Sequence, residues 1–360
     1  MSLKADIIEG AYKNVFRPLA FGVSAERVHN SISNFGEGLQ NFGPFLSPIF
    51  SYQNKALEKK VLGIKFTNPI GLAAGFDYDG HMAKVLKHVG FGFNTVGTVT
   101  ARSYEGNPEP RLARLPKSRS LLVNKGFKSD GAIAVAKRLD HKNLVGHTIG
   151  ISVGSTNSPK VDTIPKVIDD YLFTFDVFKN KKYVSYFELN ISCPNTTMTE
   201  SFTNPKNFRK LTYAIKTLQL NKPLFVKMPN EITHQLSDEL VSGALKSGIE
   251  GFIFSNLVKN RKNKSFVRSE INKYKNFKGN FSGKPTEKNA NNLIAHTRKK
   301  FGDRIAIIGL GGIFSAEDAL TKMGAGADLV QLITGMVFEG PQLIGQICEG
   351  LVSTNQYQSN

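Results

Sequence analysis

Eight short apolar runs recur along the chain, each closed by glycine or polar residues: 69–76, 91–100, 148–154, 186–192, 223–228, 251–256, 305–311 and 329–334. Between and after them, apolar positions fall at helical spacing over 81–89, 133–139, 165–178, 205–219, 236–247, 287–301, 315–323 and 341–351. Near-continuous apolar strands alternating with amphipathic helices predict a parallel sheet with helices outside it. Eight such units favour a closed (β/α)8 TIM barrel over an open sheet. The barrel is expected over 68–353, with 354–360 as a tail.

Residues 1–67 read differently. Val15, Phe16, Leu19 and Phe21, then Val28, Ile32, Phe35 and Leu39, form helix-like apolar stripes, and Ser24 is placed to start the second helix. Gly36, Gly38, Gly43, Pro44 and Pro48 then interrupt the pattern. This predicts a short helical extension. One reading makes it a plug over the bottom of the barrel; the other makes it an amphipathic pair that lies on a membrane or admits an apolar ligand.

Composition narrows the function classes. A hydrophobic share of 40% in 360 residues supports a large core. No apolar run approaches the roughly 18 residues of a membrane span, and Asp6 and Glu9 interrupt any signal-peptide pattern. The two cysteines, Cys193 and Cys348, lack metal-ligand spacing, and the seven histidines show no zinc-helix pairing, so no metal is expected and a reducing compartment suits the chain. The net charge of +18 would suit nucleic acid or an anionic membrane surface. The basic residues are spread along the chain, however, which favours solvated faces, and no nucleic-acid partner is expected. Residues 259–278, dense in Lys and Arg, read as a long exposed loop.

The carboxyl ends of barrel strands carry the chemistry. The segment from Glu188 to Thr196 runs from strand into Asn190, Ser192, Cys193 and Asn195, polar groups that pack poorly but hydrogen-bond well to a planar, amide-rich ligand. Cys193 is a candidate base or nucleophile; otherwise it is a small buried thiol. Ala73, Ala74 and Gly75 allow a flat ring close to the backbone. Lys227 ends the apolar strand Leu224-Phe-Val-Lys, where an unpartnered ammonium would cost several kcal/mol; an anionic ligand would satisfy it. Gly311-Gly312 and Thr334-Gly335 open the loops after strands seven and eight, the usual phosphate site of this fold. A phosphate-bearing ring beside a lysine and a cysteine suggests flavin mononucleotide, FMN.

These motifs resemble dihydroorotate dehydrogenases, specifically the membrane-associated, quinone-using class. The likeness runs from about Tyr12 to Gly350 and rests on Asn68-Pro-Ile-Gly-Leu-Ala-Ala-Gly-Phe-Asp77, Gly90-Phe-Gly-Phe93 with Val96-Gly-Thr-Val-Thr100, Gly106-Asn-Pro-Glu-Pro-Arg-Leu-Ala-Arg-Leu-Pro116, Asn190 to Thr196, Ile308-Gly-Leu-Gly-Gly-Ile313 and Leu329-Val-Gln331. The resemblance implies FMN contacts from Ala73, Ala74, Gly75, Thr98, Ser152, Asn190, Lys227, Ser255, Gly283, Gly311, Gly312, Ile333 and Thr334. It implies substrate contacts at Tyr78, Asn124, Gly126, Phe127, Asn190, Asn195 and Asn256, with dihydroorotate and orotate as the reacting pair. It implies that a base takes the C5 proton of dihydroorotate while hydride leaves C6 for the flavin; the base position falls on Cys193. His29 and Arg114 match polar residues near the quinone tunnel. A peripheral site on the cytoplasmic side of the cell membrane is the implied location.

The chain also departs from this pattern. Tyr78 stands where the family carries lysine, Val123 where it carries asparagine, Ser152 for asparagine, Ile333 for tyrosine, and Cys193 where the quinone class has serine. Lys125 is a candidate for the missing cation. Two alternatives share the barrel: a divergent FMN oxidoreductase acting on another dihydropyrimidine or unsaturated ring, and a protein similar to transfer-RNA dihydrouridine synthases.

Overall fold

The computed structural model describes residues 3–354; the tail expected at 354–360 lies outside the described residues beyond Thr354. Barrel strands form at Ile70–Leu72, Phe93–Val99, Ile149–Val153, Val184–Asn190, Leu224–Met228, Gly251–Phe254, Ala306–Leu310 and Leu329–Leu332. Each pairs in parallel with the next, and the last returns to the first through Val330↔Ile70, closing an eight-stranded barrel. All eight apolar runs are therefore barrel strands. They are legible because both faces of a parallel strand are buried.

Seven of the predicted helices form: Ala132–Asp140, Ile164–Phe178, Pro205–Thr217, His234–Lys246, Glu287–Phe301, Ala316–Gly324 and Leu343–Ser353. Side-chain caps start several of them. Asn204 accepts from the N–H groups of Lys206 and Asn207, Thr233 from Leu236, and Ser315 from Asp318. The helix expected over 81–89 does not form; only Leu86–Val89 makes a 3-10 turn. There the Asp77 carboxylate captures the Met82 N–H at 3.1 Å, a local bond that competes with helix. Met82, Val85 and Leu86 are buried by tertiary packing instead.

The barrel floor is aromatic. Phe93, Tyr186 and Phe225 fill it, and glycines face the rings: a Cβ on Gly71 would lie 2.2 Å from Phe93, and one on Gly150 2.2 Å from Tyr186. Beneath them a hairpin of Lys59–Val61 and Ile64–Phe66 seats Phe66 against Phe93 at 5.0 Å. This hairpin, within the segment read as helical, is what closes the bottom.

The helices precede it: α1 (Leu3–Ala11), a π-helical turn (Tyr12–Phe16), α2 (Arg17–Phe21), α3 (Ala25–Gly38) and α4 (Gly43–Phe50). Ser24 caps α3, accepting from the Arg27 N–H. The glycines and prolines after Phe35 do not abolish helix as the pattern suggested: Pro44 occupies the first turn of α4, where no N–H is needed, and the short helix continues through Pro48. α2 and α3 dock at the opposite, upper end of the barrel, where α3 lines the cavity, while α4 packs down its side against the Leu86–Val89 turn. The Tyr12 hydroxyl donates to the Val337 carbonyl and Arg17 to the Phe338 carbonyl, both at 2.9 Å.

A three-stranded sheet of Leu112–Leu115, Ser120–Val123 and Asn280–Phe281 stands over the mouth. It anchors the basic segment 259–278, which is largely exposed as expected but carries a short helix, Arg268–Lys273, and two buried anchors. Phe266 and Ile271 are buried against Phe281 and Leu122, and Glu270 accepts from the Lys117 and Ser118 N–H groups.

Candidate functional site

The strand ends, the upper sheet and α3 enclose one cavity with about 1420 Å³ of empty space, part of it continuous with solvent. On its first wall the backbone of Ala73, Ala74 and Gly75 leaves room for a flat ring. Its floor carries Thr98, Asn190, Lys227 and Ser255. These groups are held in place from behind: Asn190 Nδ2 donates to Thr98 Oγ1 at 3.2 Å, and Asn230 Nδ2 donates to Ser255 Oγ at 2.6 Å. Ser152 does not reach the cavity; it is fully buried and fixes Thr98 through a 2.9 Å hydroxyl contact. Burial pushes the Lys227 ammonium down from its usual range, and the nearby Glu188 and Cys193 pull it back up.

The adjoining wall is made by Gly283, Gly311, Gly312 and Thr334. All three glycines have positive φ, and a Cβ on Gly311 would lie 2.1 Å from Thr286 Oγ1. Side chains are excluded there by both space and conformation, so backbone N–H groups are left to face a ligand, the arrangement that suits phosphate oxygens. Ile333 lines the wall beside Gly75. A buried cation and a glycine cradle lining one cavity fit a phosphorylated ring cofactor.

Cys193, Asn195 and Asn256 form the outer side, with Tyr78, Gly126 and Phe127 across from them. Asn256 Nδ2 donates to Asn190 Oδ1 at 3.2 Å and to Ser192 Oγ at 3.0 Å, and Asn280 Nδ2 donates to Asn195 Oδ1 at 2.6 Å. Asn124 is not on the wall. It accepts from Asn107 Nδ2 at 2.9 Å, and the same amide holds the Asn195 carbonyl at 2.9 Å. Asn107 was missed as a functional residue, although its neighbours Gly106 and Pro108 flag a tight turn.

α3 supplies the rest. Ala25, Val28, His29 and Ile32 line the cavity, and His29 packs edge-on against Phe76 and Tyr78 at 5.3 and 5.2 Å. Burial, then the charge of Lys125, pushes His29 down to about 4. Arg114 sits at the entrance, donating to the Val23 and Ala20 carbonyls and lying 4.7 Å over the Phe21 ring. Lys125 also lines the cavity, 5.4 Å from the Tyr78 ring centre and paired with Glu26 of α3. Elsewhere, ligand atoms of Asp79, His81 and Asp130 gather within 4.8 Å of one another. Those groups are engaged: Asp79 accepts from the Asp130 N–H, Asp130 pairs with Arg138, and His81 pairs with Glu37.

A closed (β/α)8 barrel with a glycine-lined cavity at its carboxyl end, a thiol beside that cavity and a buried cation beneath it fits an oxidoreductase of the flavin-dependent barrel class. A family model described as dihydroorotate dehydrogenase matches residues 56–354. A Christiangramia forsetii protein named dihydroorotate dehydrogenase (quinone) is 34% identical over 351 residues, covering 93% of this chain and 97% of its own. A Nostoc punctiforme protein of the same name is 37% identical over 319 residues, covering 86% and 82%. Among solved structures, an Eimeria tenella DHODH in complex with ferulenol has a TM-score of 0.82 at 24% identity, covering 95% of this chain and 96% of that one, a likeness of fold. The chain belongs to the dihydroorotate dehydrogenase family.

Proposed function

We propose that this chain oxidises (S)-dihydroorotate to orotate in pyrimidine biosynthesis, with FMN as its cofactor and a quinone as electron acceptor. The observation that carries this reading is the continuity of one cavity from the glycine cradle, past Cys193 and its asparagines, to the apolar face of α3. A bound flavin supplies a two-electron hydride acceptor that can later be emptied by the quinone.

The chain's own residues do the rest. Asn190, Asn195 and Asn256 present amide groups to the carbonyl and N–H edges of the substrate; the Asn256 bonds to Asn190 and Ser192, and the Asn280 bond to Asn195, fix their orientation before it arrives. The Cys193 thiolate takes the C5 proton as the C5–C6 double bond forms and the C6 hydrogen leaves with its electron pair. A thiol titrates near pH 8.5 in its reference state, so close to neutrality it is a far better base than a hydroxyl. Lys227 stabilises negative charge at the floor. Tyr78, Gly126 and Phe127 shape the substrate side, and Lys125 offers the cation that Tyr78 does not. Ser152 and Asn124 act from behind, through Thr98 and Asn107.

His29 and Arg114 flank the quinone path between α3 and the barrel mouth. Around that path Leu19, Phe35, Phe42 and Phe45 are exposed. No described helix is long and apolar enough to cross a membrane, and this exposed apolar face supports peripheral attachment to one. The test is anaerobic addition of dihydroorotate to purified yellow protein. Bleaching of the flavin spectrum, reversed by a quinone, supports the reading; a protein that is colourless and takes up no FMN overturns it.

A further inference from the structure

Glu188 is fully buried inside the barrel, on the strand Val184–Asn190. Its Oε1 accepts from Thr95 Oγ1 at 2.6 Å and from Gln331 Nε2 at 2.8 Å. Thr95 Oγ1 in turn lies 2.7 Å from the Tyr186 hydroxyl and accepts from Gln331 Nε2 at 3.0 Å. The donors in this network converge on one oxygen of the carboxylate, while Glu188 Oε2 has no hydrogen-bond partner among the described residues. The network thus uses Glu188 as an acceptor through Oε1 and leaves Oε2 to the field of whatever charge stands nearby.

A carboxylate buried at the centre of a barrel is best offset by a cation. Lys227 is the one that faces it. Asn190, on the same face of its strand as Glu188 and one step nearer the mouth, lies opposite Lys227 in the register. Lys227 thus stands one layer above Glu188, its ammonium at the cavity floor. The two make no direct ion pair among the described residues, so Glu188 leaves the lysine's donors to the ligand above.

We propose that Glu188 is a positioning residue that acts through Lys227, keeping its ammonium charged beneath the cofactor ring across the pH range in which Cys193 works. This rests on the flavin reading above. Without Glu188, burial would be opposed only by Cys193, and the lysine would shed its proton at lower pH. The floor would then lose the charge that favours electron uptake.

Glu188→Gln is close to isosteric and keeps an oxygen for Thr95. The midpoint potential of the bound flavin, measured against pH from 6 to 9, should run straight for the parent protein and for Glu188→Asp. For Glu188→Gln it should start above the parent at low pH and bend downward as Lys227 loses its proton. Parallel, unbent lines for all three proteins overturn the proposal. A second measurement does not need the cofactor. Urea unfolding of Glu188→Gln, Lys227→Met and the double variant should show the double losing less stability than the sum of the singles; additive losses overturn the proposal. A colourless parent protein would defeat the flavin reading, yet this cycle would still report on the pair.

Discussion

The carboxylate of Glu26, on α3, pairs with the ammonium of Lys125, on the barrel side of the cavity, at 2.5 Å. Arg111 joins the same carboxylate at 2.9 Å. Burial alone would raise the Glu26 carboxyl, but its hydrogen bonds and the two cations outweigh that and hold it below its usual value. Burial pushes Lys125 down even with Glu26 beside it. The pair is thus mostly withdrawn from water, and removing one partner strands the other. Glu26→Gln should cost about 2 kcal/mol, between the values for exposed and fully buried pairs. Thermal unfolding of the variant checks this, and quinone KM should rise more than flavin content falls.

Cys193→Ala should retain flavin and lose its reduction by dihydroorotate. Cys193→Ser should recover part of the rate as pH rises. General-base catalysis contributes on the order of 10²–10⁴-fold, so stopped-flow reduction of the alanine variant should slow by about that much. An unchanged rate would remove the assignment.

Acid should loosen the amino-terminal helices first. His29 on α3 is held down at about 4 by burial, then by Lys125. His147 is also held down at about 4 by burial, then by Lys87 and His88. His147 lies near His88, whose ring contacts Ser47 of α4 at 2.7 Å. A histidine whose folded value is depressed adds stability that is complete above its unfolded value of about 6.5 and is lost as pH falls towards the folded value. Between pH 6.5 and 4, proteolysis or hydrogen exchange should expose α3 and α4 before the barrel strands.

Gly311→Ala should abolish flavin binding with modest loss of stability. Its φ of +99° disfavours a side chain, and the added carbon would meet Thr286 Oγ1. Overpacking of this kind costs roughly 1–3 kcal/mol. The absorbance ratio of flavin to protein, together with a melting curve, separates the two effects.

Removing residues 1–54 should weaken quinone reduction and vesicle binding more than flavin content, because α3 and the exposed phenylalanines go while the floor stays. Vesicle flotation, and activity with quinone against a water-soluble dye, give the comparison. Equal loss of all three would assign the helices a purely structural role.

The barrel was legible from the chain alone because a parallel strand buried on both faces must be apolar along its length, and each of the eight runs ends in small or polar residues. Glycine positions likewise announced the cradle, since positive φ and close approach leave few other residues. Contacts between distant segments were not legible. No periodicity reveals that Glu26 reaches Lys125, that Asn107 ties Asn124 to Asn195, or that Glu188 lies under Lys227, because each pair is set by how separate elements stack. The same holds for residues 81–89, where helical spacing lost to the Asp77 carboxylate, and for the hairpin that plugs the floor. Local pattern fixed which faces are buried; only the closed packing of the whole chain decided which charges meet there, because desolvation and Coulomb energy depend on distance in space and not along the sequence.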